Sequence, residues 1–131
     1  MDQLDELSGE VIGAAIDLHR ALGPGLLESV YEELLCAELA ERRIAFERQV
    51  AIPLIYKGIS IRKAFRVDLI VEGRLLVELK CSERPAAVNE RQLLTYLRIM
   101  QLPLGLLINF GQYRLIDGVK RVANGYHPPT E

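Results

Sequence analysis

Residues 66–81 constrain the fold most, because two apolar runs in this segment each carry charge. The runs are rich in Val, Leu and Ile and flank a Glu-Gly-Arg turn at 72–74, a pattern typical of a β-hairpin. Asp68 lies in the first run, and Glu78 and Lys80 lie in the second. Carboxylates and ammonium groups are rarely buried unless they are paired or bound to a metal. The hairpin therefore predicts a special arrangement of charge inside the sheet.

The length of the turn decides whether the two carboxylates meet. A two-residue turn would pair Asp68 with Val77, which places Asp68 and Glu78 on opposite faces of the hairpin. A three-residue loop at 72–74 would pair Asp68 with Glu78 instead. Three-residue loops commonly need a residue in the left-handed region, and Gly73 is suited to it. We therefore predict the second register.

Adjacent carboxylates repel each other unless a cation or a proton joins them. Hard oxygen ligands such as Asp68 and Glu78 suit Mg²⁺ or Mn²⁺. Such a metal would bind a phosphate oxygen and acidify a water, and Lys80 would position that water or stabilise the developing charge. The alternative is an exposed charge cluster that pairs Asp68 with Arg66, or Glu78 with Lys80. Spacing alone leaves both interpretations open.

Length and composition indicate one ordinary domain. The chain has 131 residues, of which half are hydrophobic and about a quarter charged. No apolar stretch approaches the roughly 20 residues of a membrane span, so we expect no membrane association. The acidic first residues do not resemble a secretory signal. Cys36 and Cys81 have no metal-ligand spacing, which favours reduced thiols and a cytoplasmic location.

Charge is distributed unevenly along the chain. Residues 1–41 hold ten acids and one base, whereas residues 42–66 hold seven bases and one acid. A basic block can attract a polyanion even when the net charge is −2. Arg62, Lys63 and Arg66 are therefore candidate nucleic-acid contacts, with an ordinary solvated surface as the alternative.

Hydrophobic periodicity predicts the remaining elements. It indicates helices over 4–22, 26–43 and 88–101, strands over 46–56, 59–61 and 104–110, and a further candidate strand over 113–116. Leu27 and Val30 belong to the expected apolar stripe of the second helix, and Pro53 favours an edge position or a bulge for its strand. The tail, 124–131, is expected to be flexible. This order predicts an α/β (α+β) fold with a mixed central sheet of four to five strands flanked by helices.

Four stretches together resemble a known family. Asp68 with the later Glu-Leu-Lys at 78–80 resembles the signature of the PD-(D/E)XK nuclease superfamily. Residues 25–31 match the Gly-x-x-Glu-x-x-Tyr stretch that names the GxxExxY family, and 92–96 match the Gln-x-x-x-Tyr helix motif of several nuclease branches. Residues 105–111 look like the last core strand of that family. The resemblance implies a restriction endonuclease-like core.

The resemblance also implies a metal site within about 19–122. By position, Asp68 and Glu78 would be metal ligands, and the backbone carbonyl of Leu79 a third. Glu28 would be the helix-borne carboxylate that completes the acidic cluster. The expected metal is Mg²⁺ or Mn²⁺.

Three further roles follow from the resemblance. Lys80 would be the catalytic lysine, Gln92 would orient the phosphate or the water, and Tyr96 would support it. Two positions depart from the family pattern: Val67 stands where the superfamily name has proline, and Asn89 stands where many members have histidine.

The resemblance thus implies a Mg²⁺-dependent nuclease of a single domain, residues 1–131, with DNA favoured over RNA as the substrate. The alternative is a non-catalytic module that binds nucleic acid or protein and retains the nuclease fold. A chain this short has little surface beyond its core to hold a duplex. We therefore expect a homodimer or a protein partner.

Overall fold

The computed structural model describes residues 3–84 and 87–125, which form a mixed five-stranded sheet with three helices. The helices are α1 (Gln3–Leu22), α2 (Glu28–Glu41) and α3 (Ala87–Met100). The strands are β1 (Phe46–Tyr56), β2 (Ile59–Val71), β3 (Leu75–Lys80), β4 (Leu104–Asn109) and β5 (Val119–Ala123). They lie in sequence order, and only the β3–β4 pair is parallel. The predicted fold class is confirmed.

Helices cover the two faces of this sheet. The helices α1 and α2 pack on one face, and α3 packs on the other through Leu93 and Leu97. Alternate residues of β3 point to opposite faces, and Leu76 points to α3. Glu78 and Lys80 are two and four residues further along, so they share the α3 face. None of the described helices has the length and hydropathy to cross a membrane.

The hairpin between β2 and β3 has the predicted register. Val71 pairs with Leu75 across the three-residue loop, and Gly73 has a φ of 67°. The last paired residues are Leu69 and Val77. The next residue of each strand is one of the two carboxylates of the hairpin, so the register places them level with each other.

The outer strands differ from the prediction at one point. The strand β1 has the predicted bounds and lies at the edge of the sheet, with an irregular register at Pro53. A separate short strand over 59–61 is wrong, because β2 runs without a break from Ile59 to Val71. Arg62 and Lys63 interrupt the apolar pattern in the sequence, but the structure accommodates residues 62–64 as a bulge opposite Pro53.

The segment after β4 also differs. The candidate strand over 113–116 is wrong, since a 3-10 helix spans Leu115–Gly118 and β5 follows it. Leu115 is buried in the core beneath α1, which turns the chain inward. A Cβ on Gly118 would lie 2.3 Å from the carbonyl oxygen of Asn109, so only glycine allows this close approach.

The second helix is shorter than predicted. It begins at Glu28 rather than residue 26, and Arg43, with a φ of 61°, lies beyond its end. Leu27 and Val30 are exposed, at 72% and 37%, so their place in the apolar stripe is wrong. The hydroxyl of Tyr31 holds the preceding residues as a loop, which prevents the helix from starting earlier.

The predicted tail divides into two parts. Asn124 is anchored, because its backbone N–H donates to the carbonyl of Pro103 and its side chain donates to the carbonyl of Leu102. Residues 126–131 lie outside the described residues, so the expected flexibility of the tail stays a prediction.

Candidate active site

The site is built around the point where β2 and β3 stop pairing. At this point, side-chain carboxylates take the place of backbone carbonyls as acceptors for the N–H groups of the opposite strand. The backbone N–H of Asp68 donates to Glu78 Oε1 at 2.8 Å, and the backbone N–H of Leu79 donates to Asp68 Oδ2 at 2.8 Å. Each carboxylate therefore binds the backbone of the opposite strand, which locks the two acids side by side.

Burial makes this pair of acids electrostatically unfavourable. Glu78 is only 7% exposed, and desolvation together with the charge of Asp68 raises its pKa to about 7. Desolvation also raises the pKa of Asp68, although its hydrogen bonds with Leu79 and Gln49 oppose the shift. Two full negative charges are therefore costly here near neutral pH, and a proton or a cation relieves the cost.

Lys80 and Glu28 approach the pair from β3 and α2. Lys80 is half-buried and attracts Glu28, Asp68 and Glu78, yet in the described ranges it forms no ion pair. Glu28 is exposed as a whole residue, but desolvation of its carboxyl group raises its pKa; Lys80 lowers it, and Asp68 and Glu32 raise it. The structure thus brings together the four charged residues that the sequence proposed as ligands and catalytic lysine.

An open acidic cleft leads to this cluster. It has a volume of about 410 Å³ and is lined by Glu28, Ser29, Glu32, Gln49 and Asp68. The amide of Gln49 donates to Glu32 Oε1 at 2.6 Å and to Asp68 Oδ1 at 3.2 Å. It therefore links α2 to the gap in the sheet.

Sequence reasoning did not identify Gln49 as part of the site. It has a φ of 49°, in the left-handed region, which turns the backbone of β1 locally. No feature of the sequence marks an exposed strand glutamine for this conformation.

Another carboxylate of the cleft, that of Glu32, is compensated by an ion pair with Arg48. Glu32 is buried, at 8% exposure, and its Oε2 lies 3.1 Å from a guanidinium nitrogen of Arg48. Sequence analysis gave Glu32 no role. Because Arg48 compensates Glu32, the uncompensated negative charge of the cleft is concentrated at Asp68, Glu78 and Glu28.

The helix α3 contributes Tyr96 to the site more directly than Gln92. Tyr96 stacks on Phe65 with a centroid distance of 4.0 Å and an angle of 9°. Desolvation, followed by the charges of Glu78 and Asp68, raises the pKa of its hydroxyl. Gln92 is exposed, and among the residues described its side chain donates no hydrogen bond to either carboxylate.

The predicted nucleic-acid contacts lie elsewhere, on the outer half of the β1–β2 hairpin. We call residues 54–66 the basic arm. It carries Lys57, Arg62, Lys63 and Arg66 and no acid, and all four cations are exposed. They form no ion pair within the part of the chain that the structure describes.

Comparisons with known proteins indicate the family to which a chain with this site belongs. The family model of the PD-(D/E)XK nuclease superfamily matches residues 5–122. The chain belongs to this superfamily. The predicted superfamily is therefore confirmed, and its members generally depend on a divalent metal.

A solved structure shows the same fold. The crystal structure of SSO0001 is similar to this chain, with a TM-score of 0.56 and 18% sequence identity. The similarity covers 78% of this chain and 52% of that one, so the chain spans about half the length of SSO0001. At this identity the likeness shows the fold alone. No curated protein matches the sequence.

The donor set fits the divalent metal that the superfamily generally needs. The described residues contain no preformed group of three or more His, Cys, Asp and Glu side chains around one point. However, Asp68 and Glu78 present hard oxygen atoms, and burial raises the pKa of both carboxyl groups, so a cation would offset the cost of charging them. The residues therefore suit Mg²⁺ or Mn²⁺.

The tyrosine of the Gly-x-x-Glu-x-x-Tyr stretch positions the glutamate. The hydroxyl of Tyr31 donates to the carbonyl of Gly23 and accepts the N–H of Leu26 at 3.2 Å. The thiol of Cys81, which is free, donates to the carbonyl of Leu26 at 3.0 Å. These contacts fix the loop before α2, and Glu28 is the first residue of that helix.

The end of β3 is fixed in a similar way. Asn109 Oδ1 accepts the backbone N–H groups of Ser82 and Gly111, and Asn109 Nδ2 donates to the carbonyl of Ser82. A Cβ on Gly111 would lie 2.4 Å from that carbonyl oxygen, so the two segments touch through their backbones. The N–H of Phe110 donates to the carbonyl of Lys80 at 2.8 Å. Together these hydrogen bonds fix the backbone at Lys80 and hence the position from which its side chain extends.

Proposed function

We propose that this chain is a Mg²⁺- or Mn²⁺-dependent nuclease that hydrolyses phosphodiester bonds of DNA. The observation that carries the proposal is the pair formed by half-buried Asp68 and buried Glu78 in the gap between β2 and β3, with a pKa of about 7 for Glu78. Membership of the superfamily supports the same reaction. The preference for DNA over RNA, and the placement in the GxxExxY branch, rest on the sequence resemblance.

In this proposal Asp68 and Glu78 hold the metal, with the carbonyl of Leu79 and the carboxylate of Glu28 as further ligands. When bound, the metal supplies charge stabilisation to a phosphate oxygen and lowers the pKa of water. The chain supplies the dry surroundings, since Leu79 is fully buried and Glu78 nearly so.

The other groups act on the phosphate and the water. Lys80 has no ion-pair partner within the described ranges, so its ammonium group is available to stabilise the negative charge that develops on the phosphate. Gln92, exposed on α3, orients the phosphate or the attacking water. Tyr96 lies one helical turn further along and supports Gln92; its raised pKa keeps its hydroxyl protonated as a donor.

An acidic cleft repels a polyanion, so binding requires cations outside it. Arg62, Lys63 and Arg66 on the basic arm serve this purpose by contacting the phosphate backbone. We also propose a homodimer or a protein partner for duplex substrates, one domain with its core over about 19–122, and a cytoplasmic location.

The test is a cleavage assay with DNA and RNA substrates in Mg²⁺, in Mn²⁺ and in EDTA. Asp68→Asn and Glu78→Gln retain an oxygen that accepts the existing backbone hydrogen bond, so folding is little disturbed. We expect metal-dependent cleavage that both substitutions reduce by at least about 100-fold. Glu47→Gln, the same change at an exposed acid on β1, is the matched control. Equal activity in all four proteins would show that the activity belongs to a contaminant.

One observation favours a second candidate function, a non-catalytic binding module. Each carboxylate of the pair is already hydrogen-bonded to a backbone N–H, and no group of three ligands is preformed in the described residues. This alternative predicts no binding of Mn²⁺. Calorimetry that detects Mn²⁺ binding to the wild type and its loss in Asp68→Asn would exclude it.

A further inference from the structure

A second cavity lies on the far side of the loop that precedes α2. It has a volume of about 430 Å³ and sits between the C-terminal end of α1 and the segment before the 3-10 helix. Half-buried Ile16 and buried Leu115 form its apolar part. Exposed Arg20, Tyr113 and Arg114 form its polar part. The superfamily signature includes none of these residues.

The two arginines are available to a ligand. Arg20 comes from α1 and Arg114 from a loop more than 90 residues later, so only the fold brings them to one cavity. Neither forms an ion pair among residues 3–84 and 87–125. A guanidinium group matches the geometry of a phosphate and can bind it through two parallel hydrogen bonds.

The aromatic ring beside them is exposed but supported. Tyr113 is 91% exposed, which is unusual for a large ring. The residue before it is fixed, because buried His19 Nε2 donates to the carbonyl of Gln112 at 3.0 Å. The side chain of Gln112 in turn donates to the carbonyls of Ser82 and Glu83 at the end of β3. The backbone next to Tyr113 is therefore held on a rigid part of the fold.

We propose that this cavity binds one nucleotide of the substrate strand. Arg20 and Arg114 hold its phosphate, and Tyr113 stacks on its base. An aromatic ring accepts any base, so the contact gives affinity without sequence preference. The inference rests on the proposed nuclease function for the identity of the strand, and it adds a contact that the acidic cleft cannot supply.

The loop between α1 and α2 connects the two sites. Gly23 and Pro24 line the cavity, and Glu28 lines the acidic cleft. Tyr31 on α2 and Cys81, which follows β3, fix this loop through hydrogen bonds. A strand with one phosphate at the cleft thus has a basic, aromatic site on the other side of the same loop.

The test measures binding of a fluorescein-labelled single-stranded 12-mer by anisotropy in EDTA, so that no cleavage occurs. Tyr113→Ala should weaken binding by about 5-fold or more, and Tyr113→Phe should restore it. The double variant Arg20→Gln, Arg114→Gln should lower the magnitude of the slope of log K against log salt by about 0.7, because one phosphate contact is lost. Arg74→Gln, at an exposed arginine of the β2–β3 loop, is the control and should change neither quantity.

The outcomes separate this inference from the nuclease proposal. Unchanged binding in all pocket variants, beside metal-dependent cleavage by the wild type, would overturn the inference and leave the nuclease proposal standing. Weakened binding in the pocket variants without any cleavage by the wild type would support the inference and count against the chemistry. A wild type that binds no strand would overturn the inference. So would a free mononucleotide that occupies the same cavity as tightly as the strand, because the ligand would then be a separate molecule.

Discussion

The acidic gap between β2 and β3 and the basic arm at the other end of β2 differ most in how far their charged groups are exposed to solvent. At the gap, Asp68 and Glu78 are removed from water, and their pKa values rise. On the basic arm, the four cations are exposed and carry no acidic neighbour in residues 54–66. The strand β2 therefore carries a half-buried acid, Asp68, towards one end and exposed bases towards the other.

This difference indicates which charged groups must have a role other than stabilising the fold. Exposed cations cost the fold almost nothing, so the basic arm needs no ligand to be stable. Buried, adjacent carboxylates lower the stability of the folded protein unless a proton or a cation joins them. The same substitution should therefore have very different effects in the two regions. Matched pairs of variants test this difference.

The largest difference is expected between two lysines. Lys80→Met removes a cation that interacts with Glu28, Asp68 and Glu78, and should lower the single-turnover cleavage rate by about 100-fold or more. Lys63→Met on the basic arm should weaken DNA binding at low salt but leave the rate at saturation within about 2-fold of the wild type. Equal losses of rate in the two variants would mean that Lys80 acts only through general electrostatic attraction.

The next largest effect concerns pH and stability without metal. The pKa of Glu78 is about 7 when folded, against an ordinary value of 4.5, so the folded protein binds more protons than the unfolded chain between these values. The free energy of unfolding should therefore fall as the pH rises from 4.5 to 7, by about 3 kcal/mol at most. Urea titrations at pH 5 and pH 8 measure it.

Glu78→Gln should flatten this dependence and make the protein more stable than the wild type at pH 8. Glu47→Gln, at an exposed acid, should retain the wild-type slope. A wild type that is no less stable at pH 8 than at pH 5 would contradict the burial of charge at the gap.

Metal binding should have the opposite dependence on pH. Deprotonated carboxylates bind Mn²⁺, so at pH 8 a concentration one hundred times the Kd should stabilise the fold by about 2.7 kcal/mol. At pH 5 protons compete and the stabilisation should be smaller. Thermal unfolding with and without Mn²⁺ measures both values, and Asp68→Asn should lose the effect. Stabilisation that persists in this variant would place the metal outside the gap.

The smallest effect is expected for two tyrosines. Tyr31→Phe leaves the carbonyl of Gly23 and the N–H of Leu26 without their shared partner, and should cost about 1–2 kcal/mol of stability. Tyr56→Phe on the basic arm, where the ring is 63% exposed, should cost less than about 0.5 kcal/mol. A cleavage rate that also falls in Tyr31→Phe would show that the loop positions Glu28; an unchanged rate would limit Tyr31 to folding.

The sequence predicted the features that depend on local spacing. The loop length at 72–74 placed Asp68 level with Glu78, and Pro53 placed β1 at the edge of the sheet. The family motifs added Glu28, an acid in the first turn of α2 that periodicity alone does not single out. These inferences succeed because alternation along a strand and one-turn spacing along a helix are fixed by backbone geometry.

Other features depend on contacts between distant segments, and the sequence does not show them. Gln49 reaches the site through a left-handed backbone conformation. The turn at 115–118 forms because Gly118 fits against the backbone of Asn109, a contact that hydrophobic periodicity does not mark. Leu27 has an apolar side chain at the expected helical spacing, but the contacts of Tyr31 place it in an exposed loop.

The two hydrogen bonds that join β2 to β3 through side chains also give the protein two internal indicators. The N–H groups of Asp68 and Leu79 each donate to a carboxylate of the pair, so their NMR frequencies respond to its charge. Protonation, metal binding and substitution at the gap each change that charge in a different way. The occupancy of the site can therefore be followed at two backbone positions, in solution and without any substrate.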